Sequence, residues 1–262
     1  MKILEFINNL SKELPLSLAL PDDQVGFQLF HYNNELTKIC VCYEINDEIL
    51  DIICKINPEL LIVFHPLIYK PIKNIDLSDR VGRALIRLIK NDIALYVLHT
   101  AFDSYIHGTS YLLAKEIGLL DIEPLDVNID NSKYGMGIIG NWVNGGDIEY
   151  FVNVLHEKNG FKFIRYTKNY DSEIKKVAIL GGSGISYYKK AIIKGADVFI
   201  TADVKYHDFM ASIDGIGIID LGHNESEKFV SIGMKNLIDK LNDNSFEVNL
   251  IQTDTNPIRY KN

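Results

Sequence analysis

The chain has few of the residues that mark several large classes of protein. Only three of its 262 residues are cysteines, and Cys40, Cys42 and Cys54 form neither a CxxC pair nor a zinc-finger spacing with histidine. An odd number of cysteines without a signal peptide argues against a disulfide framework and predicts a reducing, cytoplasmic compartment. Cys40 and Cys42 alternate within an apolar stretch, which predicts that both pack in the core.

An excess of positive charge and long apolar runs are also lacking. The chain carries 35 acidic and 27 basic residues, for a net charge of −8, so nucleic acid is an unlikely partner. A locally positive pocket for an anionic small molecule is still compatible with this charge. No apolar run approaches the length of roughly 18 residues that a membrane-spanning helix needs, so we expect no membrane partner.

The overall composition is that of an ordinary globular protein. The hydrophobic fraction is 47% and the charged fraction 24%, which is ordinary for such a chain. Short apolar runs alternate with amphipathic stretches, and this alternation predicts layered α/β structure. The predicted strands cover 39–43, 60–64, 93–98, 134–140, 161–166, 176–180, 197–200, 216–221 and 246–251. The predicted helices cover 1–14, 47–56, 79–90, 108–117, 147–156 and 185–194, with one more after 224.

A stretch with little periodicity suggests where the chain divides. Residues 121–133 hold Pro124 and several Asp and Asn residues. Such residues break regular structure, so this stretch predicts a boundary between two lobes. The first lobe would comprise residues 1–126, completed by 224–262, and the second would comprise 127–223.

The stretch 220–227 offers metal ligands at the start of a predicted helix. His223 and Glu227 are four residues apart, after an apolar strand and a glycine turn. An imidazole nitrogen and a carboxylate can together hold one ion or bridge two. Asn224, with Glu227 three residues later, also fits a capping box, which predicts that the helix starts there. The alternative is that Glu227 only caps this helix and His223 is a surface residue.

Other potential ligands follow apolar strands earlier in the chain. His65, His99 and Asp103 come after two strands, at the ends where ligands collect in α/β folds. Together with His223 and Glu227 they form a mixed imidazole and carboxylate set. Such a set suits Zn²⁺, Fe²⁺ or Mn²⁺ and leaves an open position for water, as hydrolysis requires.

Two further motifs each allow two interpretations. Residues 181–184 (Gly-Gly-Ser-Gly) could cradle a phosphate, or they could form only a tight turn between strand and helix. Asp203 and His207 are four residues apart and could face one pocket. The alternative is that Asp203 is only an N-cap and His207 is a surface residue.

Six segments of the chain, in the same order, resemble the Nif-three-like family, many of whose members carry the name GTP cyclohydrolase 1 type 2. The resemblance covers nearly the whole chain. Each motif alone is weak, but six in order are specific. The segments are 23–28 (DQVGFQ), 64–69 (FHPLIY), 98–103 (LHTAFD), 181–184 (GGSG), 201–207 (TADVKYH) and 220–223 (DLGH) followed by Glu227.

This resemblance implies a fold, an assembly and an activity. The fold would have two similar layered α/β lobes with a two-metal cleft between them, and the chain would form a ring-shaped homohexamer. His65 and His223 would bind one ion, Asp103 would bind the other, and Glu227 would bridge them. The reaction would be metal-dependent hydrolysis, with metal-bound water attacking a purine nucleotide, possibly GTP, or a similar small molecule. His99 or His207 would move protons.

One position departs from the family pattern. Phe64 stands where the family has the first histidine of a His-His-Pro segment, and a phenyl ring cannot bind a metal. We therefore expect one firmly held ion and a weak or absent second one. The same departure favours an alternative function, a non-catalytic metal-binding or regulatory protein that forms a ring and whose site has decayed.

Overall fold

The protein folds into two compact units, each built on one β-sheet with helices packed against it. A computed structural model describes residues 1–30, 32–128, 134–167 and 173–261. Unit 1 comprises residues 1–102 and 230–257, and unit 2 comprises residues 103–229 and 258–262. The two-lobed α/β class expected from the sequence is therefore confirmed.

Unit 1 contains a five-stranded sheet in which only an edge strand is antiparallel to its neighbour. Numbered in chain order, its strands are β1 (Gly26–Leu29), β2 (Lys38–Cys42), β3 (Leu60–Val63), β4 (Ala94–Val97) and β11 (Glu247–Leu250). Their spatial order is β1-β4-β3-β2-β11, and β1 is the antiparallel strand. All residues of β3 and β4 are buried, as their continuous apolar runs predict for strands covered on both faces.

Two helices of unit 1, α2 and α3, begin at side-chain caps that the sequence contains. The helices are α1 (Ile3–Glu13), α2 (Asp47–Ile56), α3 (Arg80–Lys90), α4 (His99–Asp103, whose last residue belongs to unit 2) and α9 (Val230–Leu241), and residues Leu16–Leu18 form a 3₁₀ turn. The side chain of Asn46 accepts a hydrogen bond from the amide of Ile49 at 2.8 Å, and Asp79 caps α3 in the same way through Gly82. These caps pair amides that the first helical turn leaves without partners, which explains where α2 and α3 start.

Unit 2 contains a six-stranded mixed sheet. Its strands are β5 (Leu120–Val127), β6 (Gly135–Asn141), β7 (Arg165–Tyr166), β8 (Lys176–Ile179), β9 (Val198–Thr201) and β10 (Gly217–Asp220). Their spatial order is β5-β6-β8-β9-β10-β7, and only the β8-β9 and β9-β10 pairs are parallel. The helices are α5 (Thr109–Ile117), α6 (Ile148–Glu157), α7 (Tyr188–Ile193) and α8 (His223–Glu227), with 3₁₀ segments at Ile185–Tyr187 and Tyr206–Asp214. Within the described ranges, no helix is both long enough and apolar enough to span a membrane.

The stretch expected to be an irregular boundary is partly a strand. Residues 120–127 form β5, which pairs with β6, while residues 129–133 lie outside the described ranges. Pro124 is accommodated because β5 is an edge strand, where one missing amide donor costs no ladder bond. Residues 103–126, 224–229 and 258–262, expected in the first lobe, are grouped with unit 2 by their contacts. Leu113 and Ile117 of α5 belong to the same core cluster as Phe151 of α6.

Several elements differ from those expected, and β1 and α4 were not expected at all. The helix expected to start at Asn224 starts instead at His223, after Gly222, and it ends before a separate helix α9. The capping box is absent because Gly222, with φ +85°, turns the chain directly into the helix, and the amide of Ser226 donates to the Gly222 carbonyl at 3.0 Å. Strand β7 covers only two of the residues in the expected 161–166 strand, and the expected helix 185–194 divides into a 3₁₀ turn and α7.

Candidate metal centre

In unit 2, a histidine and a glutamate lie together where β10 ends. His223 Nε2 is 3.2 Å from Glu227 Oε2, one turn further along α8. His223 Nδ1 is 2.6 Å from Asp203 Oδ2. Strands β9 and β10 are parallel with Thr201 opposite Asp220, so Asp203 and His223 follow neighbouring strand ends. His223 and Glu227 belong to a His/Glu group whose nitrogen and oxygen atoms could hold a metal ion, and Asp203 contacts this group without being part of it.

The electrostatics of this group favour a cation. The Glu227 side chain is only 4% exposed, and a buried carboxylate is costly unless positive charge compensates it. Burial alone would lower the pKa of His223, but the hydrogen bond and charge of Glu227, followed by those of Asp203, raise it to about 10. Without a metal, the imidazole therefore holds a proton at neutral pH, and that proton supplies the positive charge that a metal ion would otherwise supply.

The glycine-rich turn after β8 gives the Glu227 carboxylate its space. Gly182 has φ +68°, and a Cβ atom there would overlap Glu227 Oε1. Its amide donates to Ser226 Oγ at 3.0 Å. The amides of Gly181 and Gly184 donate to Ser110 Oγ and Thr201 Oγ1 at 3.2 and 2.9 Å. These three amides are therefore occupied by protein groups, which favours the tight-turn interpretation of residues 181–184 over a phosphate cradle.

In unit 1, His65 follows β3 and is oriented by a carboxylate. Its Nδ1 lies 3.1 Å from Glu44 Oε2, and Glu44 Oε1 also accepts from Arg80 Nη1 at 3.0 Å. Burial by itself would raise the pKa of Glu44, but the hydrogen bond and charge of His65 and the charge of Arg80 outweigh it and lower the pKa. A proton on Nδ1 that is donated to Glu44 leaves the lone pair on Nε2, as in many metal-binding histidines.

His99 is held in the same way by Asp23. The Asp23 oxygens lie 2.7 and 2.9 Å from His99 Nδ1, and Asp23 also accepts from the amide and hydroxyl of Thr100. Burial would raise the pKa of Asp23, but these hydrogen bonds, with His99 contributing most, lower it to about 2. His99 has φ +30°, an unfavourable backbone conformation for a histidine. Asp23 and Thr100 therefore fix both the ring and the backbone of this residue.

Phe64 is a core residue that borders these two histidines. It is completely buried and stacks on Tyr43, with ring centroids 5.9 Å apart. Its centroid lies 5.0 Å from that of His65 and 5.6 Å from that of His99. At position 64, where the family pattern has a histidine, this chain therefore has a buried apolar ring.

Two more predicted site residues, Asp103 and His207, have the following contacts. Asp103 ends α4 and accepts a hydrogen bond from Thr109 Oγ1 at 2.5 Å. His207 lines a different depression from His223, together with Tyr188 and Asp214. Asp203 therefore pairs with His223 and not with His207, four residues along. The catalytic role of His207 and the ligand role of Asp103 stay predictions.

The pairing of these histidines with their carboxylates was not predicted from the sequence. Asp23, Glu44 and Asp203 are separated from their histidines by 76, 21 and 20 residues. A signal did exist for two of them, because Glu44 and Asp203 each come two residues after a strand, on the same edge as the histidines they contact. Asp23, in a loop before β1, gives no such signal.

Comparison with protein families gives one match over almost the whole chain. The model of the family described as Duf34/NIF3 (NGG1p interacting factor 3) matches residues 1–257. A protein of Clostridium perfringens named GTP cyclohydrolase 1 type 2 homolog is 31% identical over 234 residues, covering 87% of each chain. A protein of Lactococcus lactis subsp. lactis with the same name is 31% identical over 270 residues, covering 98% of each chain.

Solved structures share the fold over the full length. A hypothetical protein of Staphylococcus aureus superposes with a TM-score of 0.92 at 27% identity, covering 100% of this chain and 99% of its own. A Bacillus cereus protein related to NIF3 has the same TM-score and the same coverage at 22% identity, which is a likeness of fold alone.

Proposed function

Because this chain belongs to the Duf34/NIF3 family, we propose that it is a metal-dependent hydrolase acting on a purine nucleotide or a similar small molecule. The observation that carries the proposal is the buried Glu227 carboxylate beside His223, whose other nitrogen is held by Asp203. Relatives named GTP cyclohydrolase 1 type 2 homolog make GTP the first substrate to test.

The proposed ligands for the firmly held ion are His65, His223 and Glu227. Two imidazole nitrogens and one carboxylate oxygen, one from each residue, form a donor set that suits Zn²⁺, Fe²⁺ or Mn²⁺. The carboxylates of Glu44 and Asp203 support this assignment, because metal-binding histidines usually donate their second ring N–H to such a partner. Asp103, with a share of Glu227, would hold the weaker second ion.

His99 is the residue that we assign to proton transfer. A bound divalent ion would lower the pKa of a water molecule and make it a nucleophile near neutral pH. With Nδ1 held by Asp23, the opposite nitrogen of His99 can accept or deliver a proton. His207, in the depression with Tyr188, is the second candidate for this role.

Phe64 favours a second candidate function, a non-catalytic metal-binding scaffold. A buried phenyl ring at this position removes a nitrogen from the second metal site, so an ion could be retained without turnover. On this alternative the chain would assemble as a homohexameric ring, and the metal would serve structure or regulation.

A turnover assay distinguishes the hydrolase from the scaffold. The protein is incubated with GTP and added Zn²⁺, Fe²⁺ or Mn²⁺, and the reaction is followed by pterin absorbance and formate release. We expect turnover that is lost in His65→Ala and Glu227→Gln and kept in the control His156→Ala, whose side chain is 50% exposed on α6. An enzyme loses turnover in the first two variants, whereas a scaffold shows none in any form and retains its assembly state. An absence of turnover with every metal would refute the GTP cyclohydrolase activity.

A further inference from the structure

A second feature of unit 2 adjoins the His223 group. A cavity of about 480 Å³ is lined on one side by His223 and Asp203, and on others by Arg165, Lys162, Phe163 and Tyr260. This volume falls in the range of roughly 300–1,000 Å³ that is typical of small-molecule sites. The lining comes from four segments that are far apart in sequence, among them the approach to β7 and the C-terminal residues.

One wall of the cavity is aromatic. The rings of Phe163 and Tyr260 are stacked with their centroids 3.8 Å apart and an interplanar angle of 19°. Tyr260 is 42% exposed, so a large apolar surface of this pair faces solvent. Exposed aromatic faces of this kind can stack on planar rings of ligands, and nucleobases are rings of this type.

Two cationic side chains of the cavity, Lys162 and Arg165, can receive an anionic group, although Arg165 is also paired with Asp220. Both carboxylates are already committed: Asp203 to His223, and Asp220 to Arg165 and to the amides of Val204 and Gly222. Arg165 uses only Nη2, for Asp220 and the Val204 carbonyl. Among the residues that the structure describes, nothing is bonded to its Nε or Nη1. Together with the exposed Lys162, this guanidinium can receive an anion.

We propose that this cavity is a subsite for an anionic ligand that carries a planar ring. The ring lies on the Phe163–Tyr260 pair, and the anionic group lies at Lys162 and Arg165. The inference rests on the proposed function and deepens it. A mononucleotide carries both a planar ring and an anionic group, so the subsite would let the hydrolase recognise such a ligand next to His223. It concerns binding only, so it can be tested on metal-free protein.

Three ligands test binding of the ring and binding of the anionic group separately. GMP carries both a ring and a phosphate, guanosine carries the ring alone, and ribose 5-phosphate carries the phosphate alone. Tyr260→Leu should weaken GMP and guanosine by about 5- to 100-fold, which corresponds to the stacking of one base, and should leave ribose 5-phosphate unchanged. Lys162→Ala should weaken GMP and ribose 5-phosphate and leave guanosine unchanged. Dissociation constants come from ligand-observed NMR titration.

Matched controls come from the same unit. Tyr150→Leu removes a tyrosine of similar exposure, 45%, from α6, and Lys158→Ala removes an exposed lysine at the end of that helix. Both should bind all three probes as the wild type does. The subsite is overturned if no probe binds at millimolar concentration, or if Tyr260→Leu and Lys162→Ala bind GMP as tightly as their controls.

The binding experiments test the subsite independently of the proposed hydrolase activity. Selective GMP binding without turnover of GTP would support the subsite and count against the hydrolase. Turnover with GMP binding unchanged in both variants would support the hydrolase and overturn the subsite.

Discussion

Gly182 provides the sharpest test of the metal centre, because a single methyl group there would displace a proposed ligand. In the Gly182→Ala variant, the new Cβ would overlap Glu227 Oε1, so the carboxylate must move. Glu227 is 4% exposed and packs against this turn, so its carboxylate would shift within the interior, away from its present place beside His223. We therefore expect the affinity for a divalent ion to fall by about 10- to 100-fold, the loss typical of misplaced ligands.

A second cost of the substitution has to be separated from the first. Gly182 has φ +68°, where an L-residue is disfavoured by roughly 1–2 kcal/mol, so the variant also loses stability. For a chain of this length, each kcal/mol corresponds to a fall in Tm of about 2–4 °C. Gly195→Ala is the matched control, since Gly195 has φ +75° and no atom within 4 Å of an added Cβ.

The assay compares Zn²⁺ dissociation constants, measured by chelator competition, with Tm values from thermal unfolding of metal-free protein. Both variants should lose similar stability, and only Gly182→Ala should lose affinity. If the two variants bind Zn²⁺ equally well, Glu227 is not a metal ligand, and the proposed centre is wrong at its best-defined residue.

Three further predictions concern His223, Phe64 and the helix cap Asn46. Near pH 7, metal binding should release about one proton, because the pKa of His223 is raised to about 10 in the metal-free protein. Calorimetry in two buffers of different ionisation enthalpy measures the number of protons released, and a number near zero would contradict the prediction. Phe64→His should raise the metal content by one ion per chain in elemental analysis, because it supplies the missing imidazole; an unchanged content would show that Phe64 does not limit the second site. Asn46→Ala should lower the free energy of unfolding by about 1 kcal/mol in urea titration, because the Ile49 amide loses its cap, and an unchanged midpoint would argue against that role.

The pKa of His223 also sets a direction for stability against pH. Its folded value lies above the ordinary value of 6.5, so the protonated imidazole stabilises the metal-free fold. This contribution is fully present below pH 6.5 and is lost as the pH rises through about 10. A bound metal would replace the proton, so the loss should vanish in the metal-loaded protein.

Local patterns predicted most elements of the fold because the relevant interactions are themselves local. Asn46 caps α2 from one residue away, and Gly118 ends α5 with φ +88°, as a left-handed terminal residue does. The buried strand β3 is a continuous apolar run. Strand β5 was missed because it is an exposed edge strand, and its charged residues and Pro124 resemble a loop in sequence.

The histidines of the site were found from the sequence, but their partners were not, and the reason is geometric. A helical spacing of four residues suggested that Asp203 pairs with His207, whereas in the fold Asp203 contacts His223, 20 residues later. Two parallel strands in register place their following residues side by side whatever the length of the connection between them. Asp203 comes two residues after β9 and His223 three residues after β10, so comparing residues at similar distances from the two strand ends would have brought this pair to attention. In an α/β sheet, the useful distance for site prediction is therefore the distance from the strand end and not the distance along the chain.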